Sequence, residues 1–191
     1  SLQKHLGASG GSILVDAPVP RVLTDETTGV VTSPKLPDTL LQAQAIVLLM
    51  PGTDVKATRA VLALNGASTI PLLASVDIFE IKDEKTNTQL DGIEFLQMPW
   101  LLGWNNAANV YVSQRKPLPS ARSLSGSRLN AFGIDAWLIS THLQAWLNNP
   151  NGTLNGATGS LHLEPNGTIE RTLPWSIYRN GFPATADGNQ P

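Results

Sequence analysis

Short apolar runs separated by an amphipathic stretch organise the first part of the chain. The runs at 12–16, 45–50 and 70–75 are rich in Ile, Leu, Val and Ala, a composition typical of buried strands. The run at 45–50 is continuous, as a strand buried on both faces requires. Residues 55–64 carry a helical pattern. Because strands that alternate with helices are usually parallel and joined by helical crossovers, the sequence predicts an α/β fold with a parallel sheet.

Cap and turn residues mark where the predicted elements begin and end. Thr53 or Asp54 is placed to cap the start of the helix, and Asn65 with Gly66 is placed to close it. A proline-rich stretch lies further towards the N-terminus. Within it, residues 37–44 open with a Pro-Asp pair, which favours a short helix.

Residues 127–147 carry the clearest helical pattern in the chain. Trp137 and Trp146 flank an apolar stripe, and an Asn-Asn-Pro sequence at 148–150 ends the helix. The stripe recurs at helical spacing and is predicted to face the sheet; its members are Phe132, Ala136, Ile139, Leu143 and Leu147.

The last part of the chain alternates between apolar and polar residues, which predicts a β-hairpin. Leu161 and Leu163 point to one face, and Ile169 and Leu173 return along the partner strand. The Pro-Asn-Gly sequence at 165–167 supplies the turn between them.

Asn followed by Gly occurs five times in the chain, which favours tight turns with positive φ. Asn151 and Asn166 also begin Asn-Gly-Thr glycosylation sequons. We favour the turn interpretation over glycan attachment for both.

The expected domain organisation is a single domain over 1–183. Within it, residues 90–97 read as a further strand, and 105–126 read as a crossover or flexible loop because Pro, Asn and Ser are scattered through them. The chain from Gly181 onward resembles a free end, and we expect 184–191 to be a disordered tail.

Composition narrows the possible functions. The chain has 191 residues and a formal net charge of −2, which gives no basic field to hold a phosphate backbone, so no nucleic-acid partner is expected. Cysteine is absent, which excludes disulfides, thiolate metal sites and cysteine nucleophiles. Charged residues make up only 15%, and such a surface suits contact with another protein or a polysaccharide.

Catalytic motifs are missing from the sequence. His5, His142 and His162 have no metal-ligand partner at suitable spacing, and no Gly-x-Ser-x-Gly elbow occurs. A Ser-His-Asp triad assembled in space stays open as an alternative, without a supporting motif. We therefore expect no enzymatic activity, no metal and no cofactor.

A ligand cleft is the other candidate site. Ligands of open α/β sheets bind at the carboxyl ends of strands, which here places Met50, Ser75 and Asp77 at the cleft. Trp100 and Trp104 are candidates for its lining or for an exposed contact. Two alternatives stay open: Asp77 caps a turn, and the two tryptophans pack in the core.

A family resemblance rests on five stretches of sequence. They are AIVLLM at 45–50, LDGIEFLQMPWLLG at 90–103, AFGIDAW at 131–137, GATGSLHL at 156–163 and RTLPWSIY at 171–178. Together with the order of elements, these stretches resemble one lobe of a type I periplasmic binding protein. They are more similar still to the LppC/LpoA family of outer-membrane lipoproteins that activate penicillin-binding proteins.

The resemblance implies a fold and a role. The fold would be a three-layer α/β lobe with a parallel sheet and a C-terminal β-hairpin. The chain would be a C-terminal fragment without the lipid-anchor cysteine, located on the periplasmic side of the outer membrane. It would bind a bifunctional peptidoglycan synthase, a penicillin-binding protein of the 1A type, and stimulate its transpeptidase, with peptidoglycan as a second candidate partner.

Partner contact is expected in the 105–126 loop, which is long and polar and carries Arg115, Lys116 and Arg122. The alternative function is a small-molecule-binding lobe that holds an amino acid, peptide or muropeptide near Ser75, Asp77 and Trp100.

Overall fold

The structure is a computed structural model of the chain. It divides into two units, residues 1–78 and residues 79–191. The described residues are 8–18, 23–24, 31–32, 34–79, 88–102, 124–149 and 152–186. None of the helices within these ranges is long and apolar enough to cross a membrane.

The first unit contains a parallel pair of strands with a helix between them. The strands β3 (Ile46–Leu48) and β4 (Leu72–Ala74) pair in register from Ile46 with Leu72 to Leu48 with Ala74, which confirms the predicted parallel pairing. Strands β1 (Leu23–Thr24) and β2 (Val31–Thr32) pair antiparallel. The elements in order are β1 Leu23–Thr24, β2 Val31–Thr32, a 3-10 helix Asp38–Gln42, β3 Ile46–Leu48, α1 Gly52–Leu64, β4 Leu72–Ala74 and a 3-10 helix Val76–Ile78.

The helix α1 ends where the sequence predicted and begins earlier. The Asn65 side chain accepts a hydrogen bond from Leu36 N and donates to Val61 O, and Gly66 takes a φ of 78°, so the predicted closure is confirmed. The predicted caps Thr53 and Asp54 are wrong, because both lie inside the first turn. The carbonyl of Pro51 accepts the first helical hydrogen bonds, from Asp54 N and Val55 N.

Two strand predictions in this unit need correction. Residues 12–16 do not form a strand and are largely exposed. A strand requires a neighbouring segment that pairs with its backbone N–H and C=O groups. The strand predicted at 45–50 is confirmed over Ile46–Leu48 but is not buried on both faces. Leu48 is 3% exposed, whereas Val47 is 46% and Leu49 is 70% exposed.

The second unit contains two antiparallel sheets. In one of them, β9 (Trp175–Arg179) lies between β5 (Glu94–Leu96) and β10 (Phe182–Thr185). In the other, β7 (Ser160–Leu163) lies between β6 (Thr153–Asn155) and β8 (Ile169–Thr172). The elements in order are a 3-10 helix Thr88–Leu90, β5 Glu94–Leu96, α2 Pro99–Leu102, α3 Leu124–Asn148, β6 Thr153–Asn155, β7 Ser160–Leu163, β8 Ile169–Thr172, β9 Trp175–Arg179 and β10 Phe182–Thr185.

The expected fold class needs one correction, which concerns the direction of the strands. The α/β class is confirmed, but β5 runs antiparallel to β9 where a parallel sheet was predicted. The chain from Gly181, expected to be a free end, forms the strand β10 as far as Thr185. Asn180 and Gly181 take φ values of 54° and 82°, the positive φ pair of a two-residue hairpin turn. Residues 187–191 lie outside the described residues, and the single domain over 1–183 stays a prediction.

The helix α3 buries a different face from the predicted one. Ala131, Asp135, Leu138 and Trp146 are buried. Each of them lies one residue before a member of the predicted stripe. Of the five predicted members only Ile139 is partly buried and packs against a core cluster. The exposed members are Phe132, Ala136, Leu143 and Leu147. The helix also begins at Leu124, so 124–126 belong to it and not to the predicted loop.

The predicted hairpin is confirmed as the pair β7–β8. Leu161 and Leu163 are buried and pack with Trp146 from α3, while Ile169 is 40% exposed. The turn at 165–167 closes with Gly167 N donating to Glu164 O at 2.9 Å. An additional strand, β6, pairs on the other side of β7.

Candidate functional site

The predicted cleft residues of the first unit lie at the ends of its parallel strands. Met50 follows β3, and its sulfur accepts a hydrogen bond from the Thr58 hydroxyl of α1 at 3.4 Å. Ser75 follows β4, and its N–H donates to Leu48 O at 3.0 Å. Met50 and Ser75 thus occupy the carboxyl ends of neighbouring parallel strands, as expected for ligand-binding positions of such sheets.

Ser75 and Asp77 bond to each other. The Ser75 hydroxyl donates to Asp77 Oδ2 at 3.3 Å, and Asp77 N lies 3.4 Å from Ser75 Oγ. Both residues lie at the 3-10 turn Val76–Ile78, and the Asp77 side chain is exposed. These contacts support the alternative interpretation of Asp77, in which short polar side chains stabilise a local turn.

The remaining predicted site residues fall in the second unit or outside the described residues. Trp100 lies in the short helix α2, where it packs against Met98, Ala131 and Ala157, and its backbone N–H donates to Ala157 O at 3.1 Å. These contacts support the alternative interpretation of Trp100, in which it packs in the core. Four residues lie outside the described ranges: Trp104, Arg115, Lys116 and Arg122.

A buried carboxylate on α3 organises the second unit. Asp135 is 4% exposed. Its Oδ1 accepts a hydrogen bond from Ala157 N at 2.6 Å, and its Oδ2 accepts from Thr158 N at 3.0 Å and from the Thr158 hydroxyl. A buried charge is tolerated only when donors surround it, and all three donors here come from one loop. We call Asp135 and the loop at 156–159 the Asp135 anchor.

Two glycines make the close approach in the anchor possible. A Cβ on Gly156 would lie 2.6 Å from Asp135 Oδ1, closer than atoms can approach. Gly159 takes a φ of 143°, and a Cβ on it would lie 2.5 Å from Thr172 O in β8. The loop closes on itself through Gly156 N, which donates to Gly159 O at 2.9 Å. Both positions therefore require glycine.

Sequence reasoning missed this anchor. The available signals were the single acidic residue of α3 and a Gly-Ala-Thr-Gly sequence in the hairpin region. What links them is a contact between residues 22 positions apart, Asp135 and Ala157. The anchor joins two of the five motif stretches, 131–137 and 156–163, so these stretches define a piece of structure.

Other titratable groups of the described stretches are scattered. No group of three or more His, Asp or Glu residues in these stretches could hold a metal ion. His142 Nδ1 lies 3.0 Å from Leu138 O on its own helix. His162 lies in the middle strand β7, opposite Thr153 on one side and Glu170 on the other.

Comparisons with known proteins agree with the motifs. The LppC lipoprotein family matches residues 41–181. The penicillin-binding protein activator LpoA of Pectobacterium parmentieri (strain WPP163) is 36% identical over 93 residues, which cover 49% of this chain and 13% of that protein. The chain therefore spans a small part of that relative's length.

Two solved structures have a similar fold. One is the LpoA (YraM) C-domain from Haemophilus influenzae, a regulator of PBP1A. It matches with a TM-score of 0.58 at 22% identity, over 75% of this chain and 45% of that one. The other, from Rhodospirillum rubrum, is described as a branched-chain amino acid ABC transporter. It matches with a TM-score of 0.60 at 18% identity, over 96% of this chain and 54% of that one. At these identities the two structures establish a shared fold.

Proposed function

Because the chain belongs to the LppC lipoprotein family, we propose that it is a non-catalytic domain that binds a bifunctional peptidoglycan synthase and stimulates its transpeptidase. The match over 41–181 carries the proposal, together with the relative that is itself called a penicillin-binding protein activator. The proposed partner is a penicillin-binding protein of the 1A type, with peptidoglycan as a second partner. The proposed location is the periplasmic side of the outer membrane.

The state of the polar groups supports a non-catalytic role. The Asp135 carboxylate is occupied by three donors of its own chain, and the Ser75 hydroxyl and the Asp77 carboxylate bond to each other. A general base must instead be within hydrogen-bond reach of the proton that it abstracts from a substrate. These groups are used for structure, so they support a domain that acts by binding.

Stimulation by binding requires a difference in affinity between two states of the synthase. A partner shifts a conformational equilibrium only to the extent that it binds one state better than the other. A tenfold preference for the active state corresponds to about 1.4 kcal/mol. A few well-placed contacts are enough for this, and no reacting group is required.

The alternative of a small-molecule-binding lobe has less support. Of the residues predicted to hold the ligand, Ser75 and Asp77 engage each other at a turn, and Trp100 packs against Met98, Ala131 and Ala157. A similar fold in a transporter protein does not transfer a ligand, because unrelated functions share folds.

We expect the purified chain to bind a purified penicillin-binding protein of the 1A type and to raise peptide cross-linking by that enzyme. Binding is measured by biolayer interferometry, and cross-linking by separating the muropeptides formed from lipid-linked precursor. The matched control is a lobe of a branched-chain amino acid binding protein, which has the fold without the family motifs. Equal stimulation by the control, or no binding by the chain, would contradict the proposal.

Reversing the three loop cations to Arg115→Glu, Lys116→Glu and Arg122→Glu is expected to weaken synthase binding at least tenfold, because charges at an interface steer association and register. A control with the same change in net charge reverses Lys35, Lys56 and Arg179, which belong to other stretches of the chain. Unchanged affinity of the loop variant would exclude this loop as the contact while leaving the synthase proposal standing. Weakening by both variants would indicate a general charge effect.

A further inference from the structure

Asn166 stands out among the Asn-Gly pairs because of where its amide lies. It occupies the exposed tip of the β7–β8 hairpin, within the three-residue turn at 165–167. Its Oδ1 accepts a hydrogen bond from Thr168 N at 2.9 Å and a second one from the Thr168 hydroxyl. Two donors therefore converge on the oxygen of one exposed side-chain amide.

We infer that Asn166 is a site of spontaneous deamidation, in which Gly167 N is the nucleophile and Thr168 stabilises the oxygen. Gly167 N loses its proton to water or hydroxide and forms a bond to Asn166 Cγ. The Cγ–Nδ2 bond breaks, and ammonia leaves with a proton from solvent. Water then opens the resulting five-membered imide to aspartate or isoaspartate. The net change is the uptake of one water, the release of one ammonia and the gain of one carboxylate.

Thr168 provides the geometry that favours this step. When Gly167 N adds to Cγ, negative charge develops on Asn166 Oδ1. Preorganised donors aimed at an oxygen that becomes charged lower the barrier to such an addition, as in oxyanion holes. The N–H and the hydroxyl of Thr168 already point at this oxygen.

Local freedom is the second requirement, because the backbone nitrogen must reach the side-chain carbon. Gly167 N donates to Glu164 O at 2.9 Å, so the turn must open briefly. The residues at 165–168 are all exposed, and apart from Gly167 and its two chain neighbours nothing lies within 4 Å of the position of a Cβ on Gly167. Exposed hairpin tips of this kind open at low free energy.

The three other Asn-Gly pairs of the described residues are held more firmly. The Asn65 amide donates to Val61 O and Pro34 O and accepts from Leu36 N. After Asn155, Gly156 is buried beside Asp135, and its N–H donates to Gly159 O. After Asn180, Gly181 is buried, and its N–H donates to Asp91 Oδ1 at 2.8 Å. We therefore expect these four Asn-Gly pairs to deamidate at different rates in the folded chain, although their dipeptide sequence is the same.

The test ages the full chain at mildly alkaline pH, both folded and unfolded in urea, and follows each Asn-Gly site by peptide mapping with mass spectrometry. In the folded chain Asn166 should deamidate at least tenfold faster than Asn65 and Asn180. In urea the sites should react at similar rates, because only the dipeptide remains to determine them. Equal rates at Asn166 and Asn65 in the folded chain would overturn the inference.

Two variants test the role of Thr168. Thr168→Val keeps the N–H and the shape but removes the hydroxyl, and it should slow the folded-state reaction by about 2- to 10-fold, the effect of one neutral hydrogen bond. Thr168→Ser keeps the hydroxyl and should react close to the wild-type rate. In urea, the Thr168→Val chain should deamidate at nearly the same rate as the wild-type chain. A folded Thr168→Val chain that reacts as fast as wild type would remove Thr168 from the mechanism.

Discussion

Replacing Asp135 with alanine is expected to lower the free energy of unfolding by about 3–5 kcal/mol. The carboxylate is 4% exposed and accepts hydrogen bonds from Ala157 N, Thr158 N and the Thr158 hydroxyl. Without it, two backbone N–H groups stay buried with no acceptor, and each unpaired buried donor costs about 1–3 kcal/mol. Urea unfolding followed by tryptophan fluorescence measures the loss.

Controls separate the anchor from a general effect of mutating α3. Gln144→Ala changes an exposed position on the same helix and should alter stability by no more than about 0.5 kcal/mol. Asp135→Asn keeps the volume and one acceptor oxygen, so its loss should lie between those of the other two variants. This variant also keeps the test decisive if the alanine variant does not fold. An alanine variant as stable as the Gln144→Ala control would contradict the structural role of Asp135.

Local signals predicted the parts of the fold that depend on local sequence. The closure of α1 by Asn65 and Gly66 was predictable because the sequence itself supplies a capping amide and a residue that accepts positive φ. The turn at 165–167 was predictable for the same reason. The pairing of β3 with β4 followed from their order around a helix, since such connections place strands in parallel.

The buried face of α3 could not be predicted from apolar periodicity. The true face places Asp135 among Ala131, Leu138 and Trp146, and a carboxylate in that series makes it look polar. The neighbouring stripe that includes Phe132 has no such interruption, so it gave the stronger pattern and the wrong face. Apolar periodicity indicates the buried face of a helix only where polar residues stay in water. Asp135 is buried instead, because a distant loop supplies its hydrogen-bond donors.

The candidate cleft was predicted in part. Met50 and Ser75 lie at neighbouring strand ends because parallel topology fixes where the strands finish. The environment of Trp100 was not predictable, because it depends on Ala131 and Ala157, which lie far along the chain. Topology can thus be argued from the order of elements, whereas the surroundings of one side chain require the long-range contacts themselves.

Alanine at position 159 is expected to lower the free energy of unfolding by about 3–5 kcal/mol, for two additive reasons. Gly159 takes a φ of 143°, a backbone conformation that residues with a Cβ rarely adopt. The added Cβ would also lie 2.5 Å from Thr172 O and 3.2 Å from Arg171 Cγ. Because Thr172 pairs with Ser160 in the β7–β8 ladder, the oxygen cannot move away without disturbing the ladder.

Gly167→Ala is a control for a glycine at positive φ that has no close contact. Gly167 has a φ of 84°, and nothing beyond its two chain neighbours lies within 4 Å of the position of its Cβ, so alanine there meets the conformational penalty alone, about 1–2 kcal/mol. The difference between the two variants in urea unfolding therefore measures the contact with β8 together with the larger conformational penalty at a φ of 143°. Since that contact positions the loop that supplies the donors to Asp135, Gly159→Ala should also expose Trp146 and Trp100 more readily to a quencher. Equal losses at positions 159 and 167 would mean that the backbone conformation, and not the approach to Thr172, is what requires glycine.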